Sequence, residues 1–362
     1  MKRVSTADLV PGMVTAEDVY TYNNQLILPK GLVLTDKTIT KLEFYSIINV
    51  RIEDSKAKAP EPEPVSDDDA SLSYAERVRR SPQFLEFKET FENEVPKFQG
   101  MLDSIAKDGE PVRIDDVYRC VDNILESGGG YHNIFDMLHN MRQYDDLTYV
   151  HSLNVALICN VFSRWLKFSP EETRLATICG LLHDVGKISI PDEVIKKPAK
   201  LTDNEYAIVK RHTLEGYNIL RKSDVPEAVM NAALMHHERC DGSGYPFGIR
   251  NAKIDTYAKM VAIADVYDAM TSARCYRGPL CPFKVIELFE NEGLQKYDTH
   301  FIMTFLENIV NTYLMHRVRL SDGREGDIVF VNRSALAKPT VKIGEDFVDL
   351  SAYPGLTIEE LI

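Results

Sequence analysis

The stretch from Cys179 to Lys187 places a His-Asp pair at the end of an apolar run. Its sequence is Cys-Gly-Leu-Leu-His-Asp-Val-Gly-Lys, so His183 and Asp184 directly follow residues that favour burial. A buried ionisable pair is costly unless another group compensates it. A metal ion would do so, because neutral imidazole and carboxylate are both good ligands. Taken alone, the pair is more typical of a histidine at a helix end beside a capping aspartate.

Further ionisable residues on apolar helical patterns favour the metal interpretation. Each lies within or at the end of an apolar run with helical spacing. Together with His183 and Asp184 they are His151, His212, His236, His237 and Asp265. These imidazole and carboxylate groups are too many for one tetrahedral ion, and they suit two divalent ions bridged by a carboxylate that activate a hydroxide. The six cysteines include no CxxC pair, which disfavours structural zinc, so iron or manganese fits best and nickel stays open.

Composition narrows the class of protein. The net charge of -13 disfavours a general binder of nucleic acid or membrane surfaces. The N-terminus lacks the apolar core of a signal peptide, and no stretch approaches the roughly 18 apolar residues of a membrane span. We therefore expect a cytoplasmic protein that binds neither DNA or RNA polymers nor membranes.

The most specific segment is His236–Pro246, with the sequence HHERCDGSGYP. Together with His183–Lys187 it resembles the HD-GYP phosphodiesterases, a branch of the HD-domain metal hydrolases. The resemblance runs from about Tyr144 to Tyr313 and includes Arg274–Arg277. It implies a bacterial second-messenger enzyme that hydrolyses a cyclic dinucleotide, most often cyclic di-GMP, to linear pGpG and onward to GMP.

The resemblance also implies which residues bind the metals. The first ion would be held by His151, His183, Asp184 and Asp265. Asp184 would bridge to the second ion, which His212, His236 and His237 would complete. Some members hold a third metal through a glutamate one turn before the first histidine. Leu147 stands at that position here and cannot ligate, so we predict a dinuclear site.

Other residues would act on the substrate. Lys187, Arg274 and Arg277 would contact phosphate, since cations stabilise the charge that develops there. Tyr245 would donate a hydrogen bond to phosphate or pack against guanine. Its neighbours Gly244 and Pro246 would shape the substrate-binding loop. Asp145, by resemblance, would orient the water network.

Two other functions stay open beside cyclic di-GMP hydrolysis. One is hydrolysis of mixed cyclic GMP-AMP, and the other is a receptor that binds a cyclic dinucleotide without cleaving it. Degenerate members of the family lose metal ligands or the Gly-Tyr-Pro loop. This sequence keeps both, which favours turnover.

The chain is predicted to be mainly α. We expect an HD-type helical bundle with a small N-terminal α+β domain and a short C-terminal β appendage. The predicted parts are an α+β domain at 1–54, an acidic Pro-rich linker at 55–73, a helical connector at 74–130, the catalytic domain at 131–316 and a β extension at 317–362. A homodimer through the helical or C-terminal segments stays open.

Periodicity predicts several individual elements. In the N-terminal domain we expect strands at Met13–Val19, Gln25–Leu28 and Asn49–Ile52 and a helix at Lys37–Tyr45. Further helices are expected at 114–125, 134–141, 283–290 and 301–316. In the extension, strands are expected at 318–320, 327–331, 340–343 and 347–350, with a turn at Ser321–Gly323.

Overall fold

The computed structural model describes most of the chain. The described residues are 2–6, 9–10, 12–20, 26–34, 38–39, 42, 47, 49–53, 74–130, 133–141, 148–195, 197, 199–272 and 278–362. The linker 55–73 and four residues of interest lie outside them, so what was expected of these stays a prediction. The four are Asp145, Leu147, Arg274 and Arg277.

The N-terminal residues form two small sheets. Strand β1 (Lys2–Ser5) pairs antiparallel with β4 (Asn49–Ile52), and β2 (Val19–Tyr20) pairs with β3 (Leu26–Leu28). They share an apolar cluster separate from the rest of the chain, composed of Leu9, Val19, Leu28, Leu34, Leu42, Val50 and Ile52. The strand at Asn49–Ile52 is confirmed, whereas β1 was not predicted.

The strand expected at Met13–Val19 was wrong. Val14 and Thr15 form only isolated bridges, and regular pairing begins at Val19. The Thr15 hydroxyl donates to the Pro29 carbonyl at 2.7 Å and accepts from the Leu32 amide at 2.9 Å. Such side-chain bonds to the backbone compete with a regular ladder. Of the helix expected at 37–45, the described residues 38–39 and 42 are helical.

Fourteen helices make up the larger part of the described chain. They are α1 (Tyr74–Arg80), α2 (Pro82–Asp108), α3 (Ile114–Ser127), α4 (Ile134–Met141), α5 (Thr148–Trp165), α6 (Pro170–Leu182), α7 (Asp192–Ile195), α8 (Asp203–Lys210), α9 (His212–Leu220), α10 (Glu227–Met235), α11 (Thr256–Thr271), α12 (Pro282–Leu288), α13 (Leu294–Lys296) and α14 (Thr299–Thr312). A 3-10 turn, Val185–Ser189, follows α6, and a π turn, Phe289–Gly293, follows α12. The expected mainly α fold is confirmed, although α12 and α14 end before the predicted 290 and 316.

Local sequence fixes where key helices begin. Ser169 and Glu172 form a capping box before α6, and Thr202 and Glu205 form one before α8. Each box satisfies two backbone N–H groups that a helix start leaves without partners. The helix starts near the site are therefore determined by short-range chemistry.

Helix α5 runs through the centre of the bundle. Its residues from His151 to Ser163 are all buried, and it packs along α6 and against α11. A helix that is apolar on every side belongs in a core, as its sequence implied. Within the described residues, no helix combines the length and the apolarity that crossing a membrane requires.

The C-terminal residues form one five-stranded antiparallel sheet. Its strands are β5 (Arg317–Leu320), β6 (Glu325–Phe330), β7 (Thr340–Ile343), β8 (Asp346–Asp349) and β9 (Ile358–Leu361), in the order β8-β7-β6-β5-β9. Four strands and the turn before β6 were predicted, and β9 was missed because its Ile-Glu-Glu-Leu sequence does not alternate. Buried Val318, Ile328 and Val341 join the helical core, so this β extension packs on the bundle.

Candidate metal centre

Five separate elements bring the seven predicted ligands together. His151 lies in the first turn of α5, Asp265 lies within α11, and the others lie at helix ends. Those at helix ends are His183 and Asp184 after α6, His212 at the start of α9, and His236 and His237 after α10. The seven residues come from distant parts of the sequence, so only packing of the bundle makes them neighbours.

The potential ligand atoms form two groups. In each group they lie within 4.8 Å of one another: His151, His183 and Asp265 in one, and Asp184, His212, His236 and His237 in the other. Asp184 touches both, since its Oδ2 is 3.2 Å from His183 Nε2 and its Oδ1 is 3.4 Å from His212 Nε2. Asp184 thus lies between the two groups, and its role as a bridge between two metals stays a prediction.

Backbone carbonyls fix the orientation of three histidines. His183 Nδ1 donates to the Gly180 carbonyl at 2.7 Å, and His212 Nδ1 donates to the Val209 carbonyl at 2.6 Å. His236 Nδ1 donates to two carbonyls of the preceding turn at 3.1 Å. Because a carbonyl oxygen only accepts, each Nδ1 carries the proton, and each Nε2 directs a lone pair into the cluster.

The donor set fits metal ions because acceptors face one another without a proton between them. His212 Nε2 and His236 Nε2 are 3.3 Å apart, and both carry lone pairs in these tautomers. Among the described residues, buried His183 Nε2 and Asp184 Oδ1 have no hydrogen-bond partner. Unpaired buried acceptors are unfavourable, and a cation compensates several of them at once.

His151 is held by a residue that sequence reasoning missed. Its Nδ1 lies 2.7 Å from Asp268 Oδ2, and its Nε2 lies 3.1 Å from Asp265 Oδ1. Asp268 also accepts from Asn154 and from Ser272 Oγ, each at 3.1 Å. A carboxylate behind a ligating histidine fixes its tautomer and orientation. The signal in the sequence was spacing, because Asp268 follows Asp265 by three positions and shares its helix face.

The protonation states suit metal binding in most of the cluster. Burial lowers the pKa of His212 and of His236, and it brings the pKa of His237 to about 3, so these imidazoles are neutral. Burial opposes ionisation of Asp184, but nearby positive charge, including the Lys187 ammonium, holds its pKa well below the usual value. At His151 burial is outweighed by Asp265 and Asp268, which raise the pKa to about 9.

Lys187 lies beside the shared carboxylate. Its Nζ is 2.5 Å from Asp184 Oδ2, and 23% of its side chain is exposed, against 1% for Asp184. The ammonium therefore reaches the cluster from its solvent side. That position places a positive charge at the solvent-exposed edge of the cluster.

The Gly-Tyr-Pro loop packs beside His237, in the second ligand group. The ring of Tyr245 stacks on His237, with centroids 4.6 Å apart. His237 is the most exposed of the seven residues, at 19% of its side chain, so the cluster opens on this side. Gly244 is required by close packing, since a Cβ there would lie 2.5 Å from the Glu238 Cα.

Buried Glu238 anchors the Gly-Tyr-Pro loop through hydrogen bonds to its backbone. It is 2% exposed, and its two carboxylate oxygens accept from the backbone amides of Phe247 at 2.7 Å and Ile249 at 3.0 Å. Both residues follow Pro246 closely in the chain. Loop position is thus tied to the residue that directly follows the two histidines.

The chain is similar to proteins that are already characterised. Residues 136–301 match the family model described as HD domain. The chain is similar to the cyclic di-GMP phosphodiesterase PA4108 of Pseudomonas aeruginosa, with 34% identity over 240 residues that cover 66% of this chain and 58% of that protein. It is also similar to 3'3'-cGAMP-specific phosphodiesterase 1 of Vibrio cholerae, with 38% identity over 40% of this chain and 34% of that protein.

A third relative and one solved structure extend the comparison. The cyclic di-GMP phosphodiesterase of Thermotoga maritima is 34% identical over 48% of each chain. The matched segments thus span between 34% and 58% of the length of these three relatives. The solved structure of Bd1817, a HDG"Y"P protein from Bdellovibrio bacteriovorus, aligns over 85% of this chain and 99% of that chain with a TM-score of 0.47 and 16% identity, a likeness too low to carry a conclusion.

Family membership follows from the domain match, the relatives and the motifs together. The His-Asp pair, the double histidine and the Gly-Tyr-Pro loop occur in this order within the matched residues 136–301. Residues 136–301 belong to the HD domain family, and their motifs resemble those of its HD-GYP branch.

Proposed function

We propose that this chain is a metal-dependent phosphodiesterase that hydrolyses cyclic di-GMP to linear pGpG and onward to GMP. The observation that carries the proposal is the pair of ligand groups joined by Asp184, with the Tyr245 ring stacked at their open side. Relatives named as phosphodiesterases of cyclic di-GMP or of 3'3'-cGAMP support a cyclic dinucleotide as substrate.

Two divalent ions, iron or manganese, are the proposed cofactors. His151, His183, Asp184 and Asp265 would hold one, and Asp184, His212, His236 and His237 the other. Bound there, such ions would lower the pKa of a water molecule and polarise a phosphoryl oxygen. The half-sites suit this role because their acceptors are oriented by other bonds before any ligand arrives.

Other side chains have proposed roles in handling the phosphodiester. Lys187 lies at the rim, where its ammonium would stabilise negative charge on a phosphoryl oxygen. Burial raises the pKa of Tyr245, so its hydroxyl stays protonated and is available as a donor. Arg274 and Arg277 are proposed phosphate contacts, Asp145 is proposed to orient water, and Gly244 and Pro246 to shape the loop.

The test is turnover of defined substrates. Purified full-length protein, loaded with iron or manganese, is incubated with cyclic di-GMP or cyclic GMP-AMP, and the products are separated by chromatography. We expect pGpG and then GMP from cyclic di-GMP. Faster cleavage of cyclic GMP-AMP would change the proposed substrate. Binding of either ligand without any cleavage would contradict the enzyme proposal in favour of a receptor.

Metal content tests the proposed cofactor number separately. Elemental analysis of the active protein is expected to give a stoichiometry close to that of a dinuclear site. A third ion per chain would contradict the interpretation of Leu147. Reconstitution of the metal-free protein with single metals would show which ion supports turnover.

A further inference from the structure

An exposed aromatic residue lies next to the open side of the metal cluster. Tyr206, in α8, is 48% exposed. Its ring centroid is 6.4 Å from that of Tyr245, with the rings nearly perpendicular at 78°. Tyr245 in turn stacks on His237. An aromatic surface therefore continues outward from the cluster, and its outermost member leaves much of its ring in solvent.

A lysine adds positive charge to this surface. Lys210 is one turn after Tyr206 on the same face of α8, and its Nζ lies 5.0 Å from the Tyr206 ring centroid. The same Nζ lies 5.9 Å from the Tyr245 ring centroid. Within the described part of the chain, Lys210 forms no ion pair, so its charge is available to a ligand.

The helix that carries the two residues is anchored at its start and leads into the cluster. The capping box of Thr202 and Glu205 fixes the start of α8, and Lys197 binds both oxygens of Glu205 at 2.8 and 2.7 Å. Helix α8 leads through Arg211 directly into His212, a proposed ligand. A recognition site on a fixed helix needs little reordering when a ligand binds.

We propose that Tyr206 and Lys210 form a subsite for one guanine base of the substrate. This rests on the proposed function, because the base must belong to a nucleotide whose phosphate reaches the cluster. A base stacks on an aromatic face without regard to its identity. Guanine presents two acceptors, N7 and O6, on one edge, where an ammonium can donate, whereas adenine presents an amino donor beside its N7. Tyr206 thus supplies affinity, and Lys210 supplies the preference for guanine.

The test compares binding and turnover in the metal-loaded full-length protein. The variants are Tyr206→Ala, Tyr206→Leu, Tyr206→Trp and Lys210→Met, with exposed Tyr353→Ala and Lys222→Met as matched controls. Dissociation constants for cyclic di-GMP and cyclic di-AMP are measured by calorimetry, and KM and kcat are measured with cyclic di-GMP. Elemental analysis and thermal unfolding verify that each variant is folded and loaded.

Stacking predicts a specific pattern at position 206. Tyr206→Ala should weaken cyclic di-GMP binding about tenfold and raise KM to a similar extent, with a much smaller change in kcat. Tyr206→Leu should weaken binding as much as Tyr206→Ala, although leucine keeps apolar area. Tyr206→Trp should bind cyclic di-GMP about as well as the wild type, because it keeps an aromatic ring. Lys210→Met should weaken cyclic di-GMP more than cyclic di-AMP and so reduce the discrimination between them.

The outcomes separate the subsite from the activity. If Tyr206→Ala and Lys210→Met both turn over cyclic di-GMP and bind it with the wild-type dissociation constant, the subsite is wrong. The phosphodiesterase proposal would then remain intact. Binding that depends on Tyr206 without any turnover would support the subsite and overturn hydrolysis. If the metal-loaded wild type binds neither cyclic di-GMP nor cyclic di-AMP, both proposals are wrong.

Discussion

A single carboxylate connects the two halves of the metal cluster. Asp184 is 1% exposed and lies within 4 Å of His151, His183, His212 and His236. A charge this buried is stable only when cations or donors surround it. Asp184 therefore faces both groups, whereas each of the six other candidate ligands belongs to one group.

Substitutions in the two halves should change metal content differently. Because His237 belongs to one group, His237→Ala should retain about one of two ions, whereas Asp184→Asn should lose both, since a neutral amide is a weaker ligand. Elemental analysis after dialysis at limiting metal measures this. Exposed His300→Ala is the matched control and should keep the wild-type content. Equal loss in His237→Ala and Asp184→Asn would contradict two separable half-sites.

Asp268 determines the tautomer of His151. An asparagine at this position could turn its amide toward His151 Nδ1, which would then have to accept and would give up the Nε2 lone pair. We expect Asp268→Asn to lower metal affinity about 10- to 100-fold, as is common for groups behind a ligating histidine. Metal titration followed by calorimetry measures the loss. Exposed Asp346→Asn is the control, and equal affinities in the two variants would contradict the role.

At the scale of elements, ligands collect where helices end. Five of the seven follow or begin a helix, and in His183 and His236 the ring nitrogen uses a carbonyl of the last helical turn. The last carbonyls of a helix have few or no partners within the helix, so side chains that follow the helix can donate to them. Helix termination thus orients the ligand and leaves its other nitrogen free.

The segment after α6 can approach α9 only because residue 186 is glycine. A Cβ on Gly186 would lie 1.9 Å from the His212 carbonyl and 2.4 Å from the Gly216 amide nitrogen. Gly186→Ala should therefore push the two segments apart, with destabilisation of about 1–3 kcal/mol or more and loss of metal. Gly100→Ala, in helix α2 with open space around it, is expected to be neutral or stabilising. Urea unfolding compares them, and similar stabilities would contradict the close packing.

The loop is an element held by one buried carboxylate. In Glu238→Gln, an amide nitrogen would face the Phe247 or Ile249 N–H and could not accept from it. We expect destabilisation of about 1–3 kcal/mol, lower kcat/KM and nearly unchanged metal content. Hydrogen exchange at residues 247 and 249 would report loop release. Exposed Glu345→Gln is the control, and unchanged exchange in Glu238→Gln would contradict the anchoring role.

At the scale of the molecule, helices and C-terminal sheet share one core. Buried residues from Phe84 in α2 to Leu361 in β9 belong to the same apolar cluster. Glu290 accepts from the backbone amides of Leu336 at 2.7 Å and Ala337 at 3.0 Å, which fastens the sheet to the bundle. The described N-terminal residues have a separate apolar cluster and contribute no predicted ligand.

Metal binding should therefore stabilise the shared core. Binding to the folded state alone adds about 2.7 kcal/mol when free metal is a hundredfold above its dissociation constant. We expect a higher Tm with manganese or iron and a lower one after chelation, measured by calorimetry. Asp184→Asn is the control and should show no metal-dependent shift. An equal shift in that variant would assign the effect to metal bound elsewhere.

Sequence periodicity anticipated the elements whose local signals agree. The predicted helices 114–125 and 134–141 match α3 and α4. Prediction failed where contacts with residues distant in the chain decide the secondary structure. The pairing of β1 with β4 joins residues far apart, and the Thr15 hydroxyl bonds displace the expected strand.

The sequence by itself determined which residues carry the chemistry. Histidines and aspartates on apolar helical runs could be named as candidate ligands because burial of such groups requires compensation. What only the tertiary structure decided is their grouping around Asp184, the support of His151 by Asp268, and the surface formed by Tyr206 and Lys210 beside Tyr245. These depend on contacts between helices that are distant in the chain, and periodicity within one helix says nothing about its neighbours.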